Sequence, residues 1–340
     1  MSIEKNNTDV NKDTLRVAEI DMLRGVAILS MILIHTNVYF LQNRISYTGW
    51  NWAQFAVQAF IFCSSYIFFQ KPFVYTLSSY ISYVKKRFAR LLLPYYIFLF
   101  VYIALTYMGD RGKLTSKFIL ESLTIVGGID VTWMVLLFLI LSCLLPLLHY
   151  FYHKKQIVFW ITGAISFLSS IVFLYVHPSF SYKWIMWLPW LTIVFFSIIF
   201  SRATKSFSLL LFYIIISCLL FLISREVLIA THTSLRFFDN KYPPNLYILS
   251  YGALSISLLY IVSGVGKRWK TLHKGIRFFS QYSYSIFFVH YLVIYVLIVF
   301  FKFLTFNWVS FFMTVVIISI LLQLVLNYIE KLTPQRRSTL

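Results

Sequence analysis

Long apolar stretches, separated by short polar or basic ones, recur along the whole chain. A stretch of about 20 apolar residues is long enough to cross the hydrocarbon core of a bilayer as an α-helix. The pattern therefore predicts an all-α, polytopic integral membrane protein with about ten transmembrane helices, and it argues against a soluble protein with one large core. The predicted spans are 20–41, 51–70, 91–108, 131–150, 157–176, 183–200, 207–223, 245–263, 283–301 and 307–329.

The distribution of lysine and arginine predicts how these helices are oriented. Every second connection between the spans contains basic residues and no acids, whereas the other connections contain few basic residues or balance them with acids. The basic connections are 71–90, 150–156, 202–206 and 264–277. Cytoplasmic loops of membrane proteins carry such a basic excess, so we expect both termini in the cytoplasm.

The composition supports a membrane protein and narrows its partners. Of the 340 residues, 60% are hydrophobic and only 12% are charged, about half the charged share of typical soluble domains. The formal net charge is +19, but the basic residues lie in short clusters between apolar stretches. We therefore expect contact with membrane lipid and none with nucleic acid. One transmembrane domain (19–330) is expected between cytoplasmic tails (1–18 and 331–340), in the plasma membrane.

No metal site is expected. Cys63, Cys143 and Cys218 lie inside apolar stretches, without the spacing of a disulfide framework or of metal ligands, so they are interpreted as small buried apolar side chains. The histidines at loops and helix ends have no ligand spacing either.

The first apolar stretch carries two ionisable residues, Arg24 and His35, eleven positions apart. Eleven helical steps return a side chain to within roughly 20° of its starting direction, so both lie on one helix face, about 16 Å apart along the axis. Ionisable residues in membrane helices usually face the protein interior or a wet cavity. Two interpretations remain open: an anion anchor and a general base in one crevice, or an interfacial arginine and a hydrogen-bonded core histidine.

Several segments resemble the membrane acyltransferase 3 family. They are, in order, Ile-Asp-Met-Leu-Arg-Gly-Val-Ala (20–27) with the later His35, Tyr-Val-Lys-Lys-Arg-Phe-Ala-Arg-Leu-Leu-Leu-Pro (83–94), Thr-Trp (132–133) and Ser-Tyr-Ser-Ile-Phe-Phe-Val-His (283–290). Ser65 and Tyr66 depart from the Ser-Gly-Phe usual in the second helix. Many members carry a glutamate or glutamine soon after the tryptophan, and this chain has none, so no carboxylate partner for His35 can be assigned there. The resemblance spans about residues 19 to 330.

The resemblance implies an O-acyltransferase that moves an acyl group, often acetyl, from cytoplasmic acyl-CoA to a hydroxyl of a cell-surface or lipid-linked glycan. Glycan synthesis machinery is a further expected partner. The resemblance implies catalytic roles for His35 and Arg24 and a donor-binding role for Arg87 and Arg90. We add His290 and Ser285 to the donor site, with His290 closer in depth to Arg24 than to His35, and Trp133 and Asp130 to the acceptor site.

Alternatives stay open at several of these positions. The basic cluster of 85–90 also fits membrane orientation, His290 fits helix packing, Trp133 fits an interfacial aromatic belt and Asp130 fits a solvated loop. His35 either deprotonates the acceptor hydroxyl directly or activates a protein hydroxyl that carries the acyl group covalently. Competing functions are an exporter of a polysaccharide or lipid-linked sugar, and a non-catalytic partner of a glycan synthase.

Overall fold

The apolar stretches form helices throughout the computed structural model, which describes residues 18–176, 178, 182–204, 206–265, 270–302 and 307–332. The described part of the chain contains thirteen α-helices, joined by loops and short 3₁₀ turns. They are α1 (Ala18–Asn37), α2 (Arg44–Trp52), α3 (Ala56–Phe69), α4 (Leu77–Gly109), α5 (Ser116–Leu123), α6 (Thr132–Lys154), α7 (Gln156–Val172), α8 (Trp187–Ala203), α9 (Phe207–Ala230), α10 (Leu246–Val265), α11 (Lys270–Gln281), α12 (Ser283–Val299) and α13 (Trp308–Leu332).

The helices make this a multi-pass membrane protein. Within the described residues, eight helical segments are long and apolar enough to cross a membrane, or nine if the bent pair Lys274–Gln281 and Ser283–Val299 forms one span. Gln156–Val172 is a shorter apolar helix. The count of ten spans and the cytoplasmic position of both termini stay predictions. The predicted tails, 1–18 and 331–340, lie outside the described residues except for residues 18, 331 and 332.

The basic stretch 71–90, predicted as a loop, is largely helical. Helix α4 begins at Leu77, where the Thr76 hydroxyl accepts a hydrogen bond from the Ser79 amide at 3.2 Å. Pro94, expected in the first turn of a helix, instead lies in the middle of a 33-residue helix. The prediction failed because hydropathy marks the part of a helix that lies in lipid, and a helix with lysine and arginine can continue beyond the hydrocarbon core.

The basic stretch 264–277 also contains a helix that was not predicted. Helix α11 meets α12 at an angle of 83°, and its described side chains alternate between exposed polar residues, such as Lys274, and half-buried apolar ones, such as Phe278. A basic amphipathic helix of this kind is typical of a position along the membrane surface.

Helix α1 is the centre of the packing. It contacts α2, α3, α10, α11, α12 and α13, and its inward residues, such as Leu23 and Ile28, are almost inaccessible to solvent. By contrast, α7 and α9 expose large apolar side chains, including Ile157 and Phe207, as expected of helices that face lipid. The ionisable residues of α1 are therefore enclosed by other helices along its length.

Candidate functional site

The two histidines selected from the sequence are in direct contact. Nδ1 of His35, on α1, lies 2.8 Å from Nε2 of His290, on α12. The ring planes differ by 7° and the ring centroids are 5.1 Å apart, so the rings are nearly coplanar and meet edge to edge. The predicted depth of His290, closer to Arg24 than to His35, is wrong, because this contact places both imidazoles at one level.

A backbone carbonyl determines where each imidazole carries its proton. Nδ1 of His290 donates a hydrogen bond to the carbonyl oxygen of Ile286 at 2.9 Å. A neutral imidazole has a single N–H, so Nε2 of His290 is an acceptor and Nδ1 of His35 donates to it. Nε2 of His35 is then left with a free lone pair. The chain of two hydrogen bonds thus orients His35 as a base, and His290 takes the place of the missing carboxylate partner.

Only one member of the histidine pair reaches open space. His290 is 0% exposed, whereas His35 is half-buried and lines a cavity of about 350 Å³, which we call the His35 cavity. The Tyr291 ring meets the His35 ring at a right angle, with centroids 5.7 Å apart. His35 is therefore fixed by aromatic contacts on one side and presents its remaining edge to the cavity.

Aromatic rings form much of the His35 cavity. Trp133 and Tyr242 meet edge to face, with ring centroids 4.9 Å apart, and both line the cavity together with Trp50. Asp130, two residues before the start of α6, adds a carboxylate to the same lining. Aromatic faces combined with a few polar groups are common in sites that bind small organic molecules.

A buried lysine also lines this cavity. Lys241 is 3% exposed, and its Nζ lies 3.3 Å from Oε1 of Gln54 and 5.3 Å from the centroid of the Trp133 ring. Burial lowers the pKa of Lys241 to about 8, and the nearby carboxylate of Asp130 opposes that shift. Burial also raises the pKa of Asp130, against the effect of Lys241 and then Lys183. The lining thus contains two lysines, Lys241 and Lys113, and one carboxylate, Asp130, and the charges of Lys241 and Asp130 support each other.

Hydrogen bonds hold the loop that carries Lys241. The Asn240 amide donates to the carbonyl oxygens of Ser234 at 2.7 Å and Arg236 at 2.9 Å. The backbone amide of Phe237 donates to Oδ1 of Asn51 at 3.0 Å, which ties the loop to α2. The position of Lys241 is therefore set by loop contacts as well as by its own side chain.

A second cavity, of about 280 Å³, lies at the other end of α1. We call it the Arg24 cavity: Arg24, Arg87 and Arg90 line it, and no acidic residue is among its lining residues. Nε of Arg87 is buried and meets no hydrogen-bond acceptor among the described residues. The N-terminus of α12 opens onto the same space through Ser283 and Tyr284, and no side chain caps that terminus. The cavity is therefore strongly electropositive.

Glycine at position 25 lets α11 pack directly against α1 beside the Arg24 cavity. A Cβ atom at Gly25 would overlap both the side chain and the carbonyl oxygen of Ile276 in α11. Further along α11, the Ser280 hydroxyl donates to Oδ1 of Asp21 at 2.9 Å, and Ser280 lines the cavity. This close contact holds the amphipathic helix against α1 next to Arg24.

The structure sorts the predicted site residues into two groups. Arg24, Arg87 and Arg90 line one cavity, and His35, Trp133 and Asp130 line the other. The prediction that Arg24 and His35 line a single crevice is wrong, because Met134 and Phe287 lie between the two spaces and belong to both linings.

Two predicted donor residues line neither cavity. His290 stands behind His35, and Ser285 belongs to the first turn of α12, although its neighbours Ser283 and Tyr284 do line the Arg24 cavity. Lys241, Gln54 and Tyr291 were missed. Lys241 lies in a polar loop that resembles a solvated one, and its contact with Gln54 spans 187 positions, so local pattern offered no signal for it.

Comparison with known proteins identifies a family. A family model described as an acyltransferase domain, that of acyltransferase 3, matches residues 17–328. No curated protein and no solved structure matches the chain. The matched region contains every residue that lines the two cavities.

Proposed function

The protein belongs to the acyltransferase 3 family, since the match over residues 17–328 covers most of its 340 residues, and from this premise we propose the donor, the acceptor and the route between them. It is a membrane-embedded acyltransferase. The donor is an acyl-CoA, with acetyl-CoA as the first candidate, and it binds in the Arg24 cavity. The acceptor is a sugar hydroxyl in the His35 cavity. The observation that carries the proposal is the free Nε2 of His35, oriented by His290 at the cavity wall.

The charge of the Arg24 cavity supports a phosphate-rich donor. Three arginines line it without any acid, and guanidinium groups form strong, charge-assisted hydrogen bonds with phosphate oxygens. Among the described residues, ion pairs join Lys113 to Asp110, Lys117 to Glu121, Arg225 to Glu226 and Arg236 to Asp239. They involve none of the three arginines. An uncapped helix N-terminus adds backbone N–H groups, a second feature that favours phosphate.

The distance between the two cavities supports an extended donor arm. Arg24 and His35 are separated by about 16 Å along the axis of α1. An acyl group at the end of a pantetheine arm spans a distance of this order while the nucleotide phosphates stay with the arginines. The basic stretch that contains Arg87 and Arg90 then faces the cytoplasm, where acyl-CoA is made, and both termini lie on that side of a ten-span plasma-membrane protein.

The lining of the His35 cavity supports a sugar acceptor. The rings of Trp133 and Tyr242 offer apolar faces for the C–H groups of a sugar, and Asp130 and Lys241 offer an acceptor and a donor for its hydroxyls. The acceptor is then a cell-surface or lipid-linked glycan, delivered on the far side of the membrane by glycan synthesis machinery.

The proposed reaction uses His35 as general base and then as general acid. Nε2 of His35 takes the proton of the acceptor hydroxyl while the hydroxyl oxygen attacks the thioester carbonyl. The Nδ1–H of His35 keeps its hydrogen bond to His290, which stabilises the imidazolium. The ammonium of Lys241 stabilises negative charge that develops on the carbonyl oxygen. The C–S bond breaks, and His35 returns the proton to the CoA sulfur.

Direct transfer is favoured over a covalent acyl-protein. No serine, threonine or cysteine is among the lining residues of the His35 cavity, whose only protein hydroxyls belong to tyrosines, including Tyr39 and Tyr291. The aliphatic hydroxyl that a covalent route most readily uses is thus lacking from the described wall around His35.

A His35→Gln substitution tests the proposal against export. Glutamine keeps a polar side chain but removes the base, and we expect acyl groups on the surface glycan to disappear while the amount of glycan is unchanged, as measured by mass spectrometry. His149→Gln is the matched control, because His149 is 3% exposed and bonds to the Tyr75 hydroxyl outside both cavities. Loss of exported glycan with an unchanged acyl content per chain would instead support a transporter.

A further inference from the structure

The two cavities share two lining residues, Met134 of α6 and Phe287 of α12. Both side chains are apolar and nearly inaccessible, with exposures of 4% and 3%. A direct path from the Arg24 cavity to the His35 cavity therefore passes this pair.

The order of residues along α12 places Phe287 at the boundary. Tyr284, Phe287 and Tyr291 share one helix face, because they are three and four positions apart. Tyr284 lines the Arg24 cavity, Tyr291 lines the His35 cavity, and Phe287 lines both. Along α6 the order of the cavities is reversed. Trp133 lines the His35 cavity, Met134 lines both cavities, and Phe138 lines the Arg24 cavity. The two helices thus contribute one boundary residue each, from opposite directions.

Phe287 is also in contact with the site of chemistry. Its ring centroid lies 6.4 Å from that of His35 and 5.7 Å from that of His290. An acyl group that reaches His35 therefore lies beside this ring, and the ring limits the space on the donor side of the histidine.

We propose that Phe287 and Met134 form a gate between the cavities, which the acyl end of the donor crosses and which restricts the donor to short acyl groups. This inference rests on the proposed function for its substrate. Rotation of two side chains opens the gate without moving a helix, since methionine is unbranched and flexible. While closed, an apolar constriction of this kind blocks water and ions, so a membrane protein with cavities at both ends does not leak.

The first test measures the barrier without any acyl donor. In a background with Cys63, Cys143 and Cys218 replaced by alanine, a single reporter is introduced as Ile34→Cys, whose position lines the His35 cavity, or as Ser64→Cys, whose position lines the Arg24 cavity. A membrane-impermeant methanethiosulfonate is added to sealed vesicles on the Arg24 side. We expect rapid reaction at position 64 and little at position 34. Phe287→Ala should speed the reaction at position 34 about ten-fold or more, the scale of a lost aromatic contact.

Two further variants make the labelling result decisive. Met134→Ala should produce the same increase through the other half of the gate. Phe159→Ala is the matched control, since Phe159 is 0% exposed, packs on Tyr152 and Phe195 and lines neither cavity, and it should leave position 34 protected. Rapid labelling of position 34 in the parent, or no increase in either gate variant while position 64 reacts normally, would overturn the gate.

The second test measures the acyl preference. The ratio of kcat/KM for butyryl-CoA to that for acetyl-CoA should rise about ten-fold or more in Phe287→Ala, because removing the ring opens space for extra methylene groups. Phe159→Ala should leave the ratio unchanged. If Phe287→Ala increases the labelling of position 34 but leaves this ratio unchanged, the proposed restriction to short acyl groups is wrong. If no acyl-CoA is a donor for the parent while the labelling behaves as expected, the proposed function fails and the gate stands.

Discussion

The two cavities differ in charge, in lining and in how they are built. Three arginines and an uncapped helix end line the Arg24 cavity, which has no acid in its lining. The His35 cavity is largely aromatic, and its lining also includes Lys113, Lys241 and Asp130. One end of the molecule is therefore suited to hold an anionic ligand by its charge, and the other to orient a nearly neutral one for proton transfer.

This difference separates binding from chemistry along one helix. Arg24 and His35 both belong to α1. Arg24 lines a cavity together with Phe287 of α12, and His35 contacts Phe287 and His290 of the same helix. The division predicts that substitutions in one cavity change donor affinity and that substitutions in the other change the catalytic rate.

The largest of the following effects is expected for His290. His290→Ala removes the acceptor that orients His35, and kcat should fall about 10- to 100-fold, the usual cost of losing a partner that orients a functional histidine. The KM for the donor should not change, and His290→Gln, whose amide oxygen can accept the same hydrogen bond, should recover much of the rate. Steady-state kinetics of the purified protein measures this. A rise in KM with unchanged kcat would assign His290 to the donor site, as the sequence interpretation had it.

The next effect is expected at Arg87. Arg87→Met should weaken CoA binding about ten-fold, in line with the loss of a charge-assisted hydrogen bond, and should reduce the salt dependence of binding. Calorimetric titration with CoA at two salt concentrations measures both quantities. Lys85→Met is the control, because Lys85 is exposed on the same helix and does not line the cavity. Equal losses in the two variants would show that only general surface charge matters.

The smallest effect is expected at Lys241, and it depends on pH. The pKa of Lys241, lowered to about 8 by burial, means that its ammonium loses a proton as the pH rises through that value. Activity that relies on the charge should therefore decline above about pH 8. Lys241→Arg should extend activity to higher pH, because arginine stays charged, and Lys241→Met should be a few-fold slower and lack the decline. A pH–rate profile of Lys241→Met with the same alkaline decline would remove Lys241 from the reaction.

Much of the fold was predictable because membrane helices are marked by hydropathy. The predicted stretches became helices, and the family resemblance is confirmed over nearly the predicted range. The start of α4 at Leu77 and the whole of α11 were not predictable in this way, because both are basic and lie partly outside the apolar pattern. Hydropathy locates the bilayer along the chain, and caps such as Thr76 locate the helix ends.

The site was predictable only where its residues lie on one helix or in one motif. The spacing of Arg24 and His35 placed both on one face of α1, and a local motif selected Arg87 and Arg90. The partner of His35 was not predictable, since the contact with His290 joins positions 255 apart. Nor was the division into two cavities, which depends on how α6 and α12 bring Met134 and Phe287 together.

Transfer across a sealed vesicle wall tests the division of labour between the cavities most directly. The protein is reconstituted in one orientation, acyl-labelled acetyl-CoA is supplied on the Arg24 side, and a glycan acceptor is supplied on the His35 side alone. We predict label on the glycan, CoA released only on the Arg24 side, and neither product with His35→Gln. Transfer that requires donor and acceptor on the same side, or intact acetyl-CoA appearing on the far side, would contradict it.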